Sequence, residues 1–411
     1  INQGQIASAG HAVVTAGRDF MQNAATNQMG GVTIKGPTSS LTTGGSAVIT
    51  TDRDVVLDQS TITTGQHAVI DAGRDAHFTA STVDAGGSIA VTAERDIISD
   101  TVSETHRQVD VDRTQEGKKK ATTVTVTTEE TLHGSTFNAG GNIAMVAETG
   151  NIDLTAATVR SEDGGVVLQA LQGDVNLRAG HETSTVTVDS ESNKKNTLST
   201  TKTTSHSEYS ETNAVGTTIS GKTVGIAAEN ILVSGSNVVS DKGTTLIAKN
   251  NVTIENDYNT SAERHSESKT KKGWISNGGA SVTVGKQTQT LDTQEVTKTA
   301  ARSTVGAVDG NVTILAGGTY HQEGSDVLAP NGDIDIHAKT VEIVEARETG
   351  TYKEEQGFKQ GGITASASAP IISALQTADQ MVDASKRSGG DSRMTALAGA
   401  STCLLPAWIK C

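Results

Sequence analysis

The sequence predicts an all-β fold, a right-handed parallel β-helix with coils of about 21 residues, several β-rich insertions and a short helical C-terminal tail. Three observations lead to this prediction. A similar segment recurs every 21 residues between 44 and 96, and a further copy lies upstream at 9–19. Apolar and polar residues alternate within each segment, which is the period of a strand with one buried face. Only 10 of the 411 residues are aromatic, too few for several wide globular cores.

The repeat begins with a glycine-containing segment that ends in an acidic residue. Its clearest copies are GGSAVITTDRD (44–54), GQHAVIDAGRD (65–75) and GGSIAVTAERD (86–96). Every second residue is apolar or small and is expected to be buried, whereas a shift by one residue would bury charge, so the register is well specified. The structural repeat positions predicted to lie inside are Ile70, Ile89, Val91, Ile143, Ile334 and Ile336.

Two more short elements complete each predicted coil. An Asp or Asn precedes a second alternating pair, and these residues are interpreted as corners that bond their own main chain. The predicted corner residues are Asp54, Asp75, Asp96, Asn151 and Asp174. A third element is led by serine, as in Ser81 to Val83. Three strands and three corners make one coil, and sixteen or so coils stacked at about 4.8 Å predict a rod of roughly 80 Å.

Interruptions divide the chain into four predicted regions. Regular repeats cover 1–99, interrupted repeats cover 100–346, a last insertion covers 347–370, and a partly helical tail covers 371–411. The insertions in the second region are rich in Thr, Glu and Lys and lie at about 100–134, 181–219 and 258–308. Their strand-like alternation predicts long hairpins extruded from single coils, either as solvated excursions or as a specific binding surface.

The tail departs from the repeat pattern. Ile372, Leu375, Ala378 and Val382 have helix-like spacing, which predicts a short closing helix. The apolar segment after Ser401 is unlike the rest of the chain, and a truncation or frameshift would explain it.

The net charge of −14 argues against non-specific binding to nucleic acid and to an anionic membrane surface. The lysine runs Lys118 to Lys120 and Lys271 to Lys272, with Trp274, can form small basic patches, but the overall acidity favours a solvated loop face. Because both cysteines, Cys403 and Cys411, stand at the end, the body is expected to contain no disulfide framework and no cysteine metal site.

The candidate chemical motifs all have a simpler interpretation. GTTISGKT (216–223) has the spacing of a phosphate-binding loop, but a strand follows it where such a loop needs a helix. Recurrent acids such as Asp19 lack the nine-residue pattern of a calcium ladder. His181 and Glu182 form a lone pair without a zinc motif. No catalytic, cofactor-binding or metal-binding residue is therefore predicted, and the segment is not expected to be an enzyme.

The AGGxIxVxAxxD unit, its serine-led linker and the Thr-, Glu- and Lys-rich interruptions resemble the haemagglutinin repeat region of filamentous-haemagglutinin-like exoproteins, over most of residues 1–370. The resemblance implies a secreted protein at the bacterial outer-membrane surface. It also implies export by an outer-membrane two-partner secretion transporter, through an N-terminal region that this sequence lacks.

The interrupted repeats and the segment SGGDSRMTALAGAS (388–401) look most like the second repeat region of contact-dependent growth inhibition exoproteins. This resemblance implies an extended stalk that supports delivery of a C-terminal toxin to neighbouring cells, with a target-cell surface receptor or outer membrane as partner. The alternative is a haemagglutinin or adhesin shaft that attaches to host or bacterial surfaces. No nucleic acid, cofactor or small-molecule substrate is expected.

Overall fold

A computed structural model gives the fold of this chain. The residues that it describes are 4–24, 26–29, 32–35, 38–276 and 281–366. Every element of regular secondary structure in these ranges is a β-strand. These ranges contain no candidate for a membrane-spanning helix. The predicted helical tail at 371–411 lies outside them, and so do both cysteines.

The described chain makes ten coils. Eight of them have three short strands, and in coils 7 and 8 the first two strands are fused into one longer strand. Coils 1 to 4, with a hairpin after coil 1 and another after coil 4, contain β1 (Gln5–Ser8), β2 (Ala12–Ala16), β3 (Phe20–Asn23), β4 (Thr26–Met29), β5 (Val32–Lys35), β6 (Ser40–Thr43), β7 (Ala47–Thr51), β8 (Val55–Asp58), β9 (Thr61–Thr64), β10 (Ala68–Ala72), β11 (Ala76–Thr79), β12 (Thr82–Ala85), β13 (Ile89–Ala93), β14 (Ile97–Asp100), β15 (Val102–Glu116) and β16 (Lys119–His133).

Coils 5 to 7, with a hairpin after coil 6, contain β17 (Thr136–Ala139), β18 (Ile143–Ala147), β19 (Ile152–Thr155), β20 (Thr158–Ser161), β21 (Val166–Ala170), β22 (Val175–Arg178), β23 (Gly180–Lys195), β24 (Ser199–Val215), β25 (Thr218–Ala228) and β26 (Ile231–Ser234). Coils 8 to 10, with a hairpin after coil 8 and a long strand after coil 10, contain β27 (Asn237–Ala248), β28 (Val252–Glu255), β29 (Asp257–Ser276), β30 (Ser281–Ala301), β31 (Thr304–Ala307), β32 (Asn311–Ala316), β33 (Thr319–Glu323), β34 (Asp326–Leu328), β35 (Ile334–His337), β36 (Thr340–Val344) and β37 (Thr349–Ser366).

Equivalent strands of successive coils pair in parallel and form three sheets along the axis. In the second sheet, for example, Ile70 pairs with Ile49 of the preceding coil and with Val91 of the following coil. The third sheet, which starts with β3, has ten strands. The first and second sheets join into one of 18 strands because β25 and β27 each pass through the corner without a break. The predicted parallel β-helix is confirmed.

The coil stack is shorter than the sequence predicted. Ten described coils, at about 4.8 Å for each of nine steps, span roughly 43 Å, whereas sixteen coils and roughly 80 Å were expected. The difference arises because the hairpins take a large share of the chain. Their strands have up to 21 residues, as in β30, so at about 3.4 Å per residue the longest reach about 70 Å.

The core is a narrow column of inward-facing side chains from all three sheets. Ile70, Ile89, Val91 and Ile143 are at most 1% exposed. Phe78 of the third sheet meets Phe137 of the first sheet edge to face, with ring centroids 4.9 Å apart. Each coil buries only a few side chains, so stability depends on contacts between neighbouring coils.

Two predicted inside positions lie in the last described coil and are less buried. Ile334 is 46% exposed, and Ile336 is only partly buried against the core. Both pair on one side only, Ile334 with Val312 and Ile336 with Ile314. The prediction of a buried Ile334 is therefore wrong for the described structure, because no described coil covers it.

The Asp and Asn residues at the corner between the second and third sheets form a ladder. The Asp96 Oδ1 atom accepts a hydrogen bond from the Asn151 backbone N–H (2.8 Å), Asn151 Oδ1 accepts one from Asp174 N–H (2.9 Å), and Asp174 Oδ1 accepts one from Asn230 N–H (3.0 Å). These side chains bond the main chain of the next coil, whereas the sequence predicted bonds to their own main chain. The ladder satisfies backbone groups that the corner would otherwise leave unpaired.

Candidate functional site: a sheet built from the insertions

All five insertions leave the β-helix at the same corner, after a strand of the third sheet. Three of them are long hairpins: β15–β16, β23–β24 and β29–β30, which pair internally in antiparallel register. β37 follows the third-sheet strand of coil 10. The short hairpin β4–β5 interrupts coil 1 inside the region that was predicted to be regular, 1–99.

The bounds of the insertions differ slightly from the prediction. The second hairpin ends at Val215 instead of 219, and the third ends at Ala301 instead of 308. In both cases the following residues already belong to a coil: Thr217 bonds coil 6 and Thr304 begins β31. Because the Thr-rich composition continues into the coil, a prediction from composition alone puts the end of each hairpin too late in the sequence.

The long hairpins pair with one another and form one seven-stranded antiparallel sheet, the hairpin sheet, in the order β15-β16-β23-β24-β29-β30-β37. β16 pairs with β23, β24 with β29, and β30 with β37. From coil 4 onwards the insertions leave from every second coil. Two coils rise by about 9.6 Å, which equals the width of a two-stranded hairpin, so neighbouring hairpins meet at hydrogen-bonding distance.

A buried hydroxyl closes the base of two hairpins. Thr217, just after the second hairpin, donates from Oγ1 to the carbonyl of Arg178, just before that hairpin (2.9 Å). Ser303 does the same after the third hairpin, with its Oγ 2.6 Å from the carbonyl oxygen of Glu255. Both hydroxyl residues are fully buried. The hydroxyls therefore tie the two ends of each hairpin to the β-helix.

Both faces of the hairpin sheet are largely open to solvent. Among its described side chains, only those at Ile275 and Thr283 are buried. A trough of about 910 Å³ runs across one face. Two of its acids are paired: Asp189 lies 2.7 Å from His206 Nδ1, and Glu191 lies 3.0 Å from Lys202 Nζ. The hydrogen bond from Lys202 lowers the pKa of Glu191 below its usual value.

Lysines from six strands and one turn gather near the outer end of the hairpin sheet. The strand registers place Lys119 opposite Lys194 and Lys272 opposite Lys286. At the tip, the Lys195 backbone N–H bonds the Lys118 carbonyl of the neighbouring hairpin. We call this group the lysine band: Lys118, Lys119, Lys120, Lys194, Lys195, Lys202, Lys269, Lys271, Lys272, Lys286 and Lys359.

Exposed apolar side chains lie just beyond the lysine band. Trp274 pairs with Val284, and Val284 pairs with Ile363, so the three share one face. The backbone N–H of Trp274 also bonds the carbonyl of Leu198, in the turn of the second hairpin. We call these four residues the apolar tip. Their exposed fractions are 54% for Trp274, 48% for Val284, 83% for Ile363 and 62% for Leu198. The sequence predicts Lys118 to Lys120 and Lys271 to Lys272, with Trp274, only as small separate patches, because their proximity depends on strand register.

The other motifs do not form sites. GTTISGKT lies in β25 and the residues before it, and Lys222 makes an ion pair with Asp163 (3.0 Å). His181 pairs with Asp257 across the hairpin bases (3.3 Å). Among the described residues, no group of three or more His, Cys, Asp or Glu is placed to hold a metal ion. The residues of these motifs lie in paired strands or form ion pairs at the surface.

Curated relatives of the chain are CdiA proteins. The tRNA nuclease CdiA of Escherichia coli (strain STEC_O31) is 32% identical over 243 residues, 56% of this chain and 7% of that protein. The 16S rRNA endonuclease CdiA of Enterobacter cloacae is 31% identical over 301 residues, which are 72% of this chain and 9% of that protein. The Toxin CdiA of Yersinia pestis is 32% identical over 194 residues, which are 47% of this chain and 6% of that protein. The chain thus spans less than a tenth of each of these three proteins.

No solved structure matches the chain. The hemagglutinin repeat family matches residues 114–197 and 198–369, which together exceed half of the chain. The matched ranges begin near the tip of the first long hairpin and contain β16, the second and third long hairpins and coils 5 to 10. The chain belongs to the hemagglutinin repeat family.

Proposed function

We propose that this chain is a structural repeat segment of a secreted bacterial surface exoprotein, and that it acts as a stalk in contact-dependent growth inhibition. In this role it supports delivery of a C-terminal toxin to neighbouring cells. The observation that carries the proposal is the similarity to CdiA proteins across a region made of β-helix coils and hairpins. The nuclease activities named for two of these relatives belong to those proteins, of which this chain covers less than a tenth.

The geometry supports a mechanical role for the segment. Each coil places its apolar side chains in the column and its polar side chains at the surface, and the ladder at the corner joins consecutive coils. Such a stack grows in one direction by repetition and carries load between its ends through parallel hydrogen bonds. We propose that the segment is not itself an enzyme.

Location and partners are part of the same proposal. The exoprotein is placed outside the cell, at the outer-membrane surface, after export through a two-partner secretion transporter. Its partner on the neighbouring cell is a surface receptor or the outer membrane. The hairpin sheet supports the latter part of the proposal, because it offers a broad surface to one side of the stack.

A chimera tests the function. In the Escherichia coli CdiA, the matching region is replaced by this chain, and growth inhibition of neighbouring cells is measured in co-culture. We expect the chimera to inhibit. A second chimera with Val91→Asp, which places a charge in the core, is expected to lose inhibition, and immunoblotting of surface-exposed protein reports whether it is still exported.

The outcomes separate the two candidate roles. A chimera that reaches the surface and inhibits neighbours supports the stalk in toxin delivery. A chimera that reaches the surface and attaches to cells without inhibiting them overturns delivery and supports the adhesin shaft. Equal inhibition by both chimeras would mean that the fold of this segment is irrelevant to delivery, which also overturns the proposal.

A further inference from the structure

The hairpin sheet concentrates positive charge in an acidic protein. The segments 116–120, 193–202, 269–273, 285–288 and 357–361 contain eleven lysines and one acid, Glu116, a net charge of +10. The whole chain has a net charge of −14. Taken alone, that overall charge argues against binding to an anionic membrane surface. The register of the sheet shows that the charge is not spread evenly.

The lysine band is poorly neutralised by the protein itself. Lys272 and Lys286 stand directly opposite each other on neighbouring strands, and so do Lys119 and Lys194. Like charges in this position destabilise a sheet. Of these four lysines, only Lys119 has an acid directly across from it, Glu116. An arrangement that costs stability in the free protein indicates an anionic partner.

The apolar tip identifies the class of that partner. On one face of the sheet, Trp274 follows Lys272 by two residues, and Val284 precedes Lys286 by two, so indole, isopropyl and ammonium groups point to the same side. Lysines bind anionic headgroups, whereas Trp and aliphatic side chains enter the boundary between headgroups and acyl chains. A nucleic-acid surface would need several stacking aromatic side chains along the basic groove. The segments of the lysine band contain a single exposed aromatic residue, Phe358, and Trp274 is flanked by aliphatic residues.

We propose that the lysine band and the apolar tip together form a docking surface for an anionic phospholipid surface. Binding is peripheral: headgroup phosphates contact the lysines, and Trp274, Val284, Ile363 and Leu198 insert shallowly. The assignment of that surface to the membrane of a neighbouring cell rests on the proposed function. The binding chemistry itself rests on the hairpin sheet alone.

The probe is a vesicle of phosphatidylcholine, with or without phosphatidylglycerol. The full chain with Trp408→Phe keeps Trp274 as its single tryptophan, so its fluorescence reports on the apolar tip. We expect co-sedimentation with phosphatidylglycerol vesicles only, a blue shift of Trp274 emission on binding, and weakening as salt is raised.

Two variants with the same charge change separate the lysine band from net charge. Lys194→Gln, Lys195→Gln, Lys272→Gln and Lys286→Gln remove four charges from the band. Lys222→Gln, Lys242→Gln, Lys249→Gln and Lys339→Gln remove four from the β-helix surface. At about fivefold per lysine near an anionic surface, the first variant is expected to bind roughly a hundredfold more weakly or worse, and the second to bind within a few fold of the parent.

Folding of the band variant is checked by its melting temperature. We expect this temperature to equal or exceed that of the parent, because the variant removes both lysines of the Lys272–Lys286 pair and one lysine of the Lys119–Lys194 pair.

Equal binding by the two variants, or no binding by the parent, overturns the proposal. Binding without a blue shift excludes apolar insertion and overturns it as well. Duplex DNA that competes at equal charge concentration would identify a general polyanion site and overturn the lipid assignment. None of these results changes the growth-inhibition result of the chimera, so the two proposals fail independently.

Discussion

Arg95 reaches back to Asp75 of the preceding coil and donates two hydrogen bonds to its carboxylate, from Nε to Oδ1 (3.0 Å) and from Nη2 to Oδ2 (2.5 Å). Arg74 makes the same two bonds to Asp54 one coil earlier. The Arg–Asp pairs lie at the corner that carries Asp or Asn in later coils. The early coils are thus joined at this corner by ion pairs in addition to the backbone ladder.

These ion pairs predict a loss of stability in acid. The hydrogen bond from Arg74 lowers the pKa of Asp54. Burial is the strongest influence on Asp75 and acts to raise its pKa. The hydrogen bonds from Arg95 and from the Asp96 backbone N–H, together with the positive charges of Arg95 and Arg74, outweigh burial and lower the pKa. A lowered pKa in the folded state stabilises the fold above the unfolded value of 3.8, and this contribution is lost as the pH falls through the folded pKa. Below a pH of about 4, we expect the free energy of unfolding to fall by about 1 kcal/mol for each site, and the melting temperature to fall with it.

The variant Asp54→Asn with Asp75→Asn tests this assignment. Asparagine keeps the side-chain oxygen that serves the backbone ladder, as Asn151 does in coil 5, but it cannot titrate. The variant should start less stable at neutral pH and lose less stability in acid. Parallel melting curves of parent and variant across the whole pH range would contradict a role of these carboxylates.

The alternation within one strand predicts opposite outcomes for neighbouring residues. Val91 is fully buried, whereas Ala90 faces outward and is half-buried. Val91→Asp places an unpaired charge in the column and should destabilise the fold by about 3–5 kcal/mol. Ala90→Asp should change stability by less than about 1 kcal/mol. Thermal unfolding followed by circular dichroism measures both, and similar losses for the two variants would contradict the register.

The coils could be predicted from sequence because each strand carries its own pattern. Ile89 and Val91 alternate with the small or polar residues Ala90 and Thr92, so burial follows from a few adjacent residues. The hairpin sheet could not be predicted in the same way. Thr125 and Val188 meet only because the spacing of the coils sets the separation of the two hairpins. Both hairpins are rich in Thr, and neither face of their strands is marked by a buried apolar set. Without a buried face, several registers fit the sequence equally well.

The hydroxyl of Ser303 predicts a coupling between a hairpin base and the coil. Its Oγ donates to the carbonyl of Glu255 and accepts a hydrogen bond from the Ser236 backbone N–H (3.0 Å). Ser303→Ala removes both bonds and leaves buried groups unpaired, which should cost about 1–3 kcal/mol. Hydrogen exchange should accelerate at Ser236 and at the base of β29 and β30.

Ser99 provides the matched control for Ser303. It is also fully buried, but its Oγ has no hydrogen-bond partner among the described residues. Ser99→Ala should therefore be neutral or slightly stabilising. If both alanine variants lose the same stability, the hydroxyl of Ser303 contributes through its volume and not through its hydrogen bonds.

Pairing between separate hairpins is tested by a disulfide. Thr125 of β16 lies directly opposite Val188 of β23, and residues directly opposite have Cβ atoms about 4.5–5.5 Å apart, close enough for a bridge after a small adjustment. In a chain with Cys403→Ser and Cys411→Ser, the pair Thr125→Cys and Val188→Cys should oxidise readily, as peptide mass spectrometry under non-reducing conditions would show. The pair Thr125→Cys and Asp189→Cys should not, because the next residue along β23 points to the other face of the sheet. Equal oxidation of both pairs would indicate that the hairpins slide or separate, and the lysine band would then have no fixed geometry.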